Sequence, residues 1–213
     1  MTVADTDPTQ AAPATPEAAA SDDDLLAASL KQATEMRRNG EPEGANRMYN
    51  LIINHFGQST VPHHDETVAR TLLAKAMTLV DLSQREEALG VFADLRARIN
   101  GRDEDPWHEL AVLCNYEEGV VLGMLDKHES AARCFKAASE LGTGNERAAV
   151  VHMIAAAIYY LAIASLNCRR PGDAVAALAD LEKRFGDGGD ATMRYWVEEG
   201  RKLKAEMDAV GRS

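Results

Sequence analysis

At 213 residues, 46% hydrophobic but only 5% aromatic, the chain has material for a core that must be built largely from small and aliphatic side chains. Alanine is abundant and long β-branched alternations are scarce, a balance that favours helices and argues against a sheet protein. The formal net charge is -11, and no basic footprint is visible for nucleic acid or for an anionic membrane surface.

The chain opens on an acidic leader. Asp5, Asp7, Glu17, Asp22, Asp23 and Asp24 fall within the first 24 residues, with no base among them. Residues 1–22 therefore read as a disordered acidic tail, and 23–209 as one folded domain. The start lacks the basic and apolar regions of a signal peptide, which predicts a cytoplasmic protein. The densest apolar run, 148–163, is broken by His152 and reads as too short to span a bilayer.

Helix pairs follow in order, over about 23–57, 65–100, 106–142 and 145–186. In the first, Asn39-Gly40 ends one helix and Pro42 opens the next. In the second, Leu72, Ala76 and Leu79, then Ala88, Phe92 and Leu95, recur at i, i+4, i+7, the stripe of an amphipathic helix. Ser83 and Glu86 between them have the spacing of a capping box. Asp105 before Pro106 predicts an N-cap for the third pair. Gly101, Gly142 and Gly186 lie just past predicted helix ends, and Arg170-Pro171-Gly172 is the turn of the fourth pair. A closing helix over 190–209, capped by Asp190, carries Arg201, Lys202, Lys204 and Glu206 on a polar face.

Sliding the sequence against itself by 43 residues aligns Ala33, Ala76, Gly119 and Ala162, with Ala205 continuing the series. The same shift aligns Ala45, Ala88, Ala131 and Ala174; Tyr49, Phe92, Phe135 and Leu178; and Ile52, Leu95, Ala138 and Leu181. The two small columns predict where paired helices cross, and the bulky column predicts core.

On these residues the chain resembles the tetratricopeptide repeat (TPR) family. The small–aromatic–small signature stands as Leu72…Ala76…Leu79…Ala88…Phe92…Leu95 and as Gly119…Leu122…Ala131…Phe135…Ala138. The phrase 85–92 and the Arg-Phe-Gly-Asp of 184–187 look like long-period bacterial arrays, since the period exceeds the usual value of about 34 residues. The resemblance implies an all-α, right-handed superhelix of four antiparallel helix pairs plus a C-terminal capping helix. It also implies a concave groove lined by the first helix of each pair. Arg37, Arg70, Leu73, Met77, Val80, Leu113, Tyr116, Val120, Met124, Tyr159 and Ile163 fall on that face, with Leu30, Thr34 and Leu166. An apolar groove suits an amphipathic helix or extended hydrophobic peptide. Arg37 and Arg70 could anchor an acidic flank. The family's carboxylate clamp needs Lys and Asn where this chain has Leu30 and Thr34, Leu73 and Met77, or Tyr116 and Val120.

The resulting expectation is a non-catalytic interaction module with a protein or peptide partner, no cofactor and no metal. A homo-oligomer or self-assembling scaffold is an alternative. A second alternative is a metal-dependent hydrolase at His63-His64-Asp65, set against the simpler reading of Asp65 as a helix N-cap. Cys114, Cys134 and Cys168 match no zinc spacing and read as buried, reduced thiols.

Overall fold

In the computed structural model, residues 21–102, 104–142 and 147–210 are described; most of the acidic leader lies outside them. Nine helices follow one another among these residues: α1 (Asp22–Arg38), α2 (Pro42–Phe56), α3 (Pro62–Asp81), α4 (Arg85–Ile99), α5 (Trp107–Met124), α6 (His128–Leu141), α7 (Ala148–Asn167), α8 (Pro171–Phe185) and α9 (Ala191–Val210). The first helix begins earlier than the sequence suggested. Ser21 and Asp24 form a reciprocal capping box, and Asp22, Asp23 and Asp24 suit the positive end of the helix dipole, so Asp22 belongs to α1.

The 43-residue register is a packing register. Ala33, Ala45, Ala76, Ala88, Ala162 and Ala174 are buried, as are Tyr49, Phe92, Phe135 and Leu178 in the bulky column. Gly119 takes the small position in α5 because a Cβ there would stand 2.8 Å from the Phe135 ring.

The turn inside each pair repeats as well, and differently from the sequence reading. Ser83 does not cap α4. It adopts a left-handed backbone (φ 63°), and α4 starts after Gln84 without a side-chain cap. Gly40 (φ 79°), Asp126 (φ 56°) and Arg169 (φ 57°) occupy the same place in the other pairs. At each turn the left-handed residue and its successor donate backbone hydrogen bonds into the preceding helix. Gly40 N–H reaches Arg37 at 3.2 Å and Glu41 N–H reaches Met36 at 2.9 Å. Gln84 to Leu79, Lys127 to Leu122 and Arg170 to Ser165 repeat the outer bond at 2.8, 2.9 and 2.8 Å. This is the Schellman closure, which satisfies the last carbonyls of one helix while reversing the chain.

Two further caps differ from expectation. Helix α5 opens at Trp107, after a cis Asp105-Pro106 bond, with no side-chain cap. Helix α3 opens at Pro62, so Asp65 lies within its first turn, where its carboxylate pairs with Arg98 and Arg102. Asp190 does cap α9, accepting from Met193 N–H at 3.0 Å.

Each helix packs on its chain neighbours, and the first helices α1, α3, α5, α7 and α9 also touch in series. Among the described residues the second helices α2, α4, α6 and α8 make no such approach to one another. A continuous inner row with a spaced outer row gives a curved solenoid. Helix α7, with its 20 residues, is long and apolar enough to cross a membrane by length and composition, contrary to the sequence estimate. It packs instead against α5, α6, α8 and α9, which explains its apolar circumference. Ala205, which should have been a crossing point, is exposed because no second helix follows α9 within the described residues. Gly200 makes the close contact, facing Leu181 and Leu178.

Two hydrophobic clusters meet at α5. One joins α1–α4 to Leu110, Cys114 and Val121; the other joins Val112 and Leu122 to α6–α9.

Candidate functional site

The concave row brings the expected groove residues onto the first helices. Leu30, Leu73, Met77, Val80, Leu113, Tyr116, Val120, Tyr159 and Ile163 are half-buried, and Met124 is 53% exposed. Leu30, Leu73, Val80 and Leu113 pack against the N-terminal cluster, and Tyr116, Val120 and Tyr159 against the C-terminal one, each with part of its surface left exposed. The arginines are engaged within the protein. Arg37 Nε donates to Asp81 at 2.8 Å, tying α1 to the end of α3, and Arg70 Nε donates to Glu66 at 2.9 Å.

The C-terminal part of this surface is aromatic. The Tyr116 ring lies 6.2 Å from Phe135 and 6.4 Å from Tyr160. Tyr160 stacks on Phe135 at 5.6 Å and meets Trp196 edge-on at 5.6 Å. Tyr159 also approaches Trp196, at 5.6 Å. Four helices thus contribute to one ring system. The sequence reading found Tyr116 and Tyr159 but missed Tyr160 and Trp196. Tyr160 lies one residue, about 100°, round the helix from Tyr159, and Trp196 is outside the tyrosines' 43-residue register, which reaches Lys202 in α9. Burial pushes the Tyr116 hydroxyl up to about 12, with Tyr160 and Glu117 acting in the same direction. Burial also raises the Glu117 carboxyl above its ordinary value, opposed by the positive field of Arg37.

A second recess lies on the outer surface, where α6 and α8 stand apart. It encloses about 740 Å³ over Ile158, Leu161 and Ser165. Its rim charges are largely paired: Arg170 with Glu129 at 3.1 Å, Arg184 with Asp180 at 3.4 Å, and Lys136 with Glu140 at 3.8 Å.

The histidine cluster is not the one the sequence suggested. Asp65 is held by arginines, and the carboxylate that reaches His63 and His64 is Asp23, from α1. Its Oδ1 lies 2.7 Å from His63 Nε2 and 2.8 Å from His64 Nε2. These two hydrogen bonds hold the Asp23 carboxyl below its ordinary value.

The cysteines stay apart as free thiols. Cys114 is buried and Cys134 and Cys168 are half-buried. Burial pushes Cys114 up to about 12 and Cys134 up to about 11, so at neutral pH both are poor nucleophiles. Glu118, the buried acid beside them, is paired with Arg96.

A curved stack of antiparallel helix pairs with an apolar inner row defines a TPR-like α-solenoid. Two solved structures share that fold. "MamA 41-end from Desulfovibrio magneticus RS-1" matches with a TM-score of 0.58 at 15% identity, covering 89% of this chain and 90% of that one. "MamA RS-1 ArsTM double mutant" matches with a TM-score of 0.56 at 16% identity, covering 87% and 97%. No family model matches the chain, and no curated protein matches it.

Proposed function

We propose that this protein is a non-catalytic interaction module that binds an apolar or amphipathic peptide segment along its concave face. One observation carries the reading: half-buried aliphatic and aromatic side chains run along successive first helices, ending in the Tyr116, Tyr159, Tyr160 and Trp196 ring system. Tyr and Trp offer large contact areas with few rotatable bonds, and their polar tips tolerate the wet edge of a groove. The aliphatic stretch at Leu73, Met77 and Val80 accommodates varied apolar side chains, and Met suits an adaptable surface. A cytoplasmic setting belongs to the same reading, supported by the three unpaired cysteines.

Selection of peptides from a random display library on the full chain tests this. Enriched sequences should carry apolar residues at helical spacing, and their affinity should fall at least about thirtyfold when Tyr116 and Tyr159 are both changed to Ala. Enrichment of acidic or basic peptides that are indifferent to the double change would place recognition on another surface.

A further inference from the structure

We propose that Asp23, His63 and His64 form a binding site for a first-row divalent metal ion of the zinc type, which clips α1 onto the start of α3. One oxygen and two imidazole nitrogens converge, with all three donor atoms within 4.8 Å of one another. They come from two helices, 40 residues apart in sequence. The His64 ring is buried, with a side-chain exposure of 6%, and Phe56 packs edge-on against it at 5.0 Å. Its far nitrogen, Nδ1, lies 2.8 Å from Ser59 Oγ. A fixed ring with its second nitrogen hydrogen-bonded is the support a metal-binding histidine requires.

The proton balance is simple. Without metal, each Nε2–H donates to Asp23, and His64 Nδ1 accepts from the Ser59 hydroxyl. On binding, each ring frees Nε2 for the metal by carrying its proton on Nδ1 instead, that of the exposed His63 facing water, so both imidazoles stay neutral and no net proton is released. His64 takes the tautomer with its proton on Nδ1, which then donates to Ser59 Oγ. Two neutral imidazoles and one carboxylate suit zinc, cobalt or nickel and not magnesium or calcium, which prefer all-oxygen sites. His63 and Asp23 are solvent-exposed, leaving water to complete the coordination. The consequence would be local: α1 supplies Leu30, Thr34 and Arg37 to the proposed groove and, among the described residues, packs only on α2 and α3, so the ion would stiffen that end.

Calorimetric titration of the full chain with zinc ion should show one site per chain and a melting temperature that rises with zinc. Magnesium ion should give neither. Asp23→Asn and His63→Gln change exposed side chains and should keep the helical spectrum while weakening zinc binding at least about tenfold. Ser59→Ala should weaken it by about tenfold through the loosened His64 ring. Double replacement of Cys134 and Cys168 by Ser should leave binding unchanged. Absence of zinc binding overturns the proposal. So does a site that survives Asp23→Asn intact or disappears with the cysteines.

Discussion

Ala76 and Gly119 hold the same place in successive repeats, yet one carries a methyl group and the other a hydrogen. In the N-terminal half, Ala76 is buried, and Leu73, Met77 and Val80, half-buried around it on α3, are all aliphatic. In the C-terminal half, the Phe135 ring crowds the Gly119 backbone, Tyr116 and Tyr160 lie against that ring, and Tyr159 and Trp196 join through Tyr160. One backbone register therefore supports two different surfaces. The small positions fix how helices cross. The residues three before and one after them are free to vary in what the first helices expose.

Fully buried and half-buried rings should respond differently to truncation. Phe92→Ala should cost about 3–5 kcal/mol, because a fully buried ring leaves a cavity. The Tyr116→Ala, Tyr159→Ala pair should cost less stability but more affinity, since both rings are half-buried. Equal losses of melting temperature in the two proteins would make the tyrosines core residues.

Next come the crossings. Ala88→Leu and Ala131→Leu should each destabilise by about 1–3 kcal/mol by overpacking. Gly119→Ala should fall in the same range, even though alanine is the better helix former by about 1 kcal/mol. The reverse change, Ala76→Gly, should cost only about 1 kcal/mol, chiefly through helix propensity. Denaturant midpoints decide it. A stabilising Gly119→Ala would mean that the Phe135 ring yields freely, erasing the distinction between the halves.

A smaller effect concerns what the halves share. Arg169 occupies the left-handed position that glycine fills in the first turn. Arg169→Gly should therefore stabilise by up to about 1 kcal/mol, and Gly40→Ala should destabilise by about as much. If both are neutral, the turns relax without strain.

The smallest expected effect is one of pH. The folded pKa of Glu117 is raised, so protonation favours the fold. That stability is complete below the ordinary Glu value of about 4.3 and is lost as pH rises through the raised folded value. Glu117→Gln should raise the urea midpoint at pH 7 and add nothing at pH 4. A gain of equal size at both pH values would trace the effect to packing.

The buried columns and the pairing of helices were legible in the sequence because packing repeats in residue size every 43 positions. The turns were not. Gly40, Ser83, Asp126 and Arg169 share a backbone conformation but no chemistry, so only the glycine announced it. Likewise, Asp65 adjoins His64 in sequence and suggested one cluster, whereas folding delivers Asp23 to the histidines and gives Asp65 to Arg98 and Arg102. Tyr116 and Tyr159 stood out because they share one phase of the 43-residue repeat. Trp196 was missed because its ring joins the others only when α9 is laid beside α7.

The spacing of the outer helices has a mechanical consequence. Among the described residues, the inner row resists compression by direct contact, while the outer row has gaps to give up. Bending that closes the outer gaps straightens the array and draws the first helices apart; bending that tightens the curve presses them together. The molecule is thus an asymmetric spring, stiff toward closure and compliant toward extension. A bound segment bridging several first helices would act as a tie-rod across the compliant side, and its length would set the curvature at which the spring comes to rest.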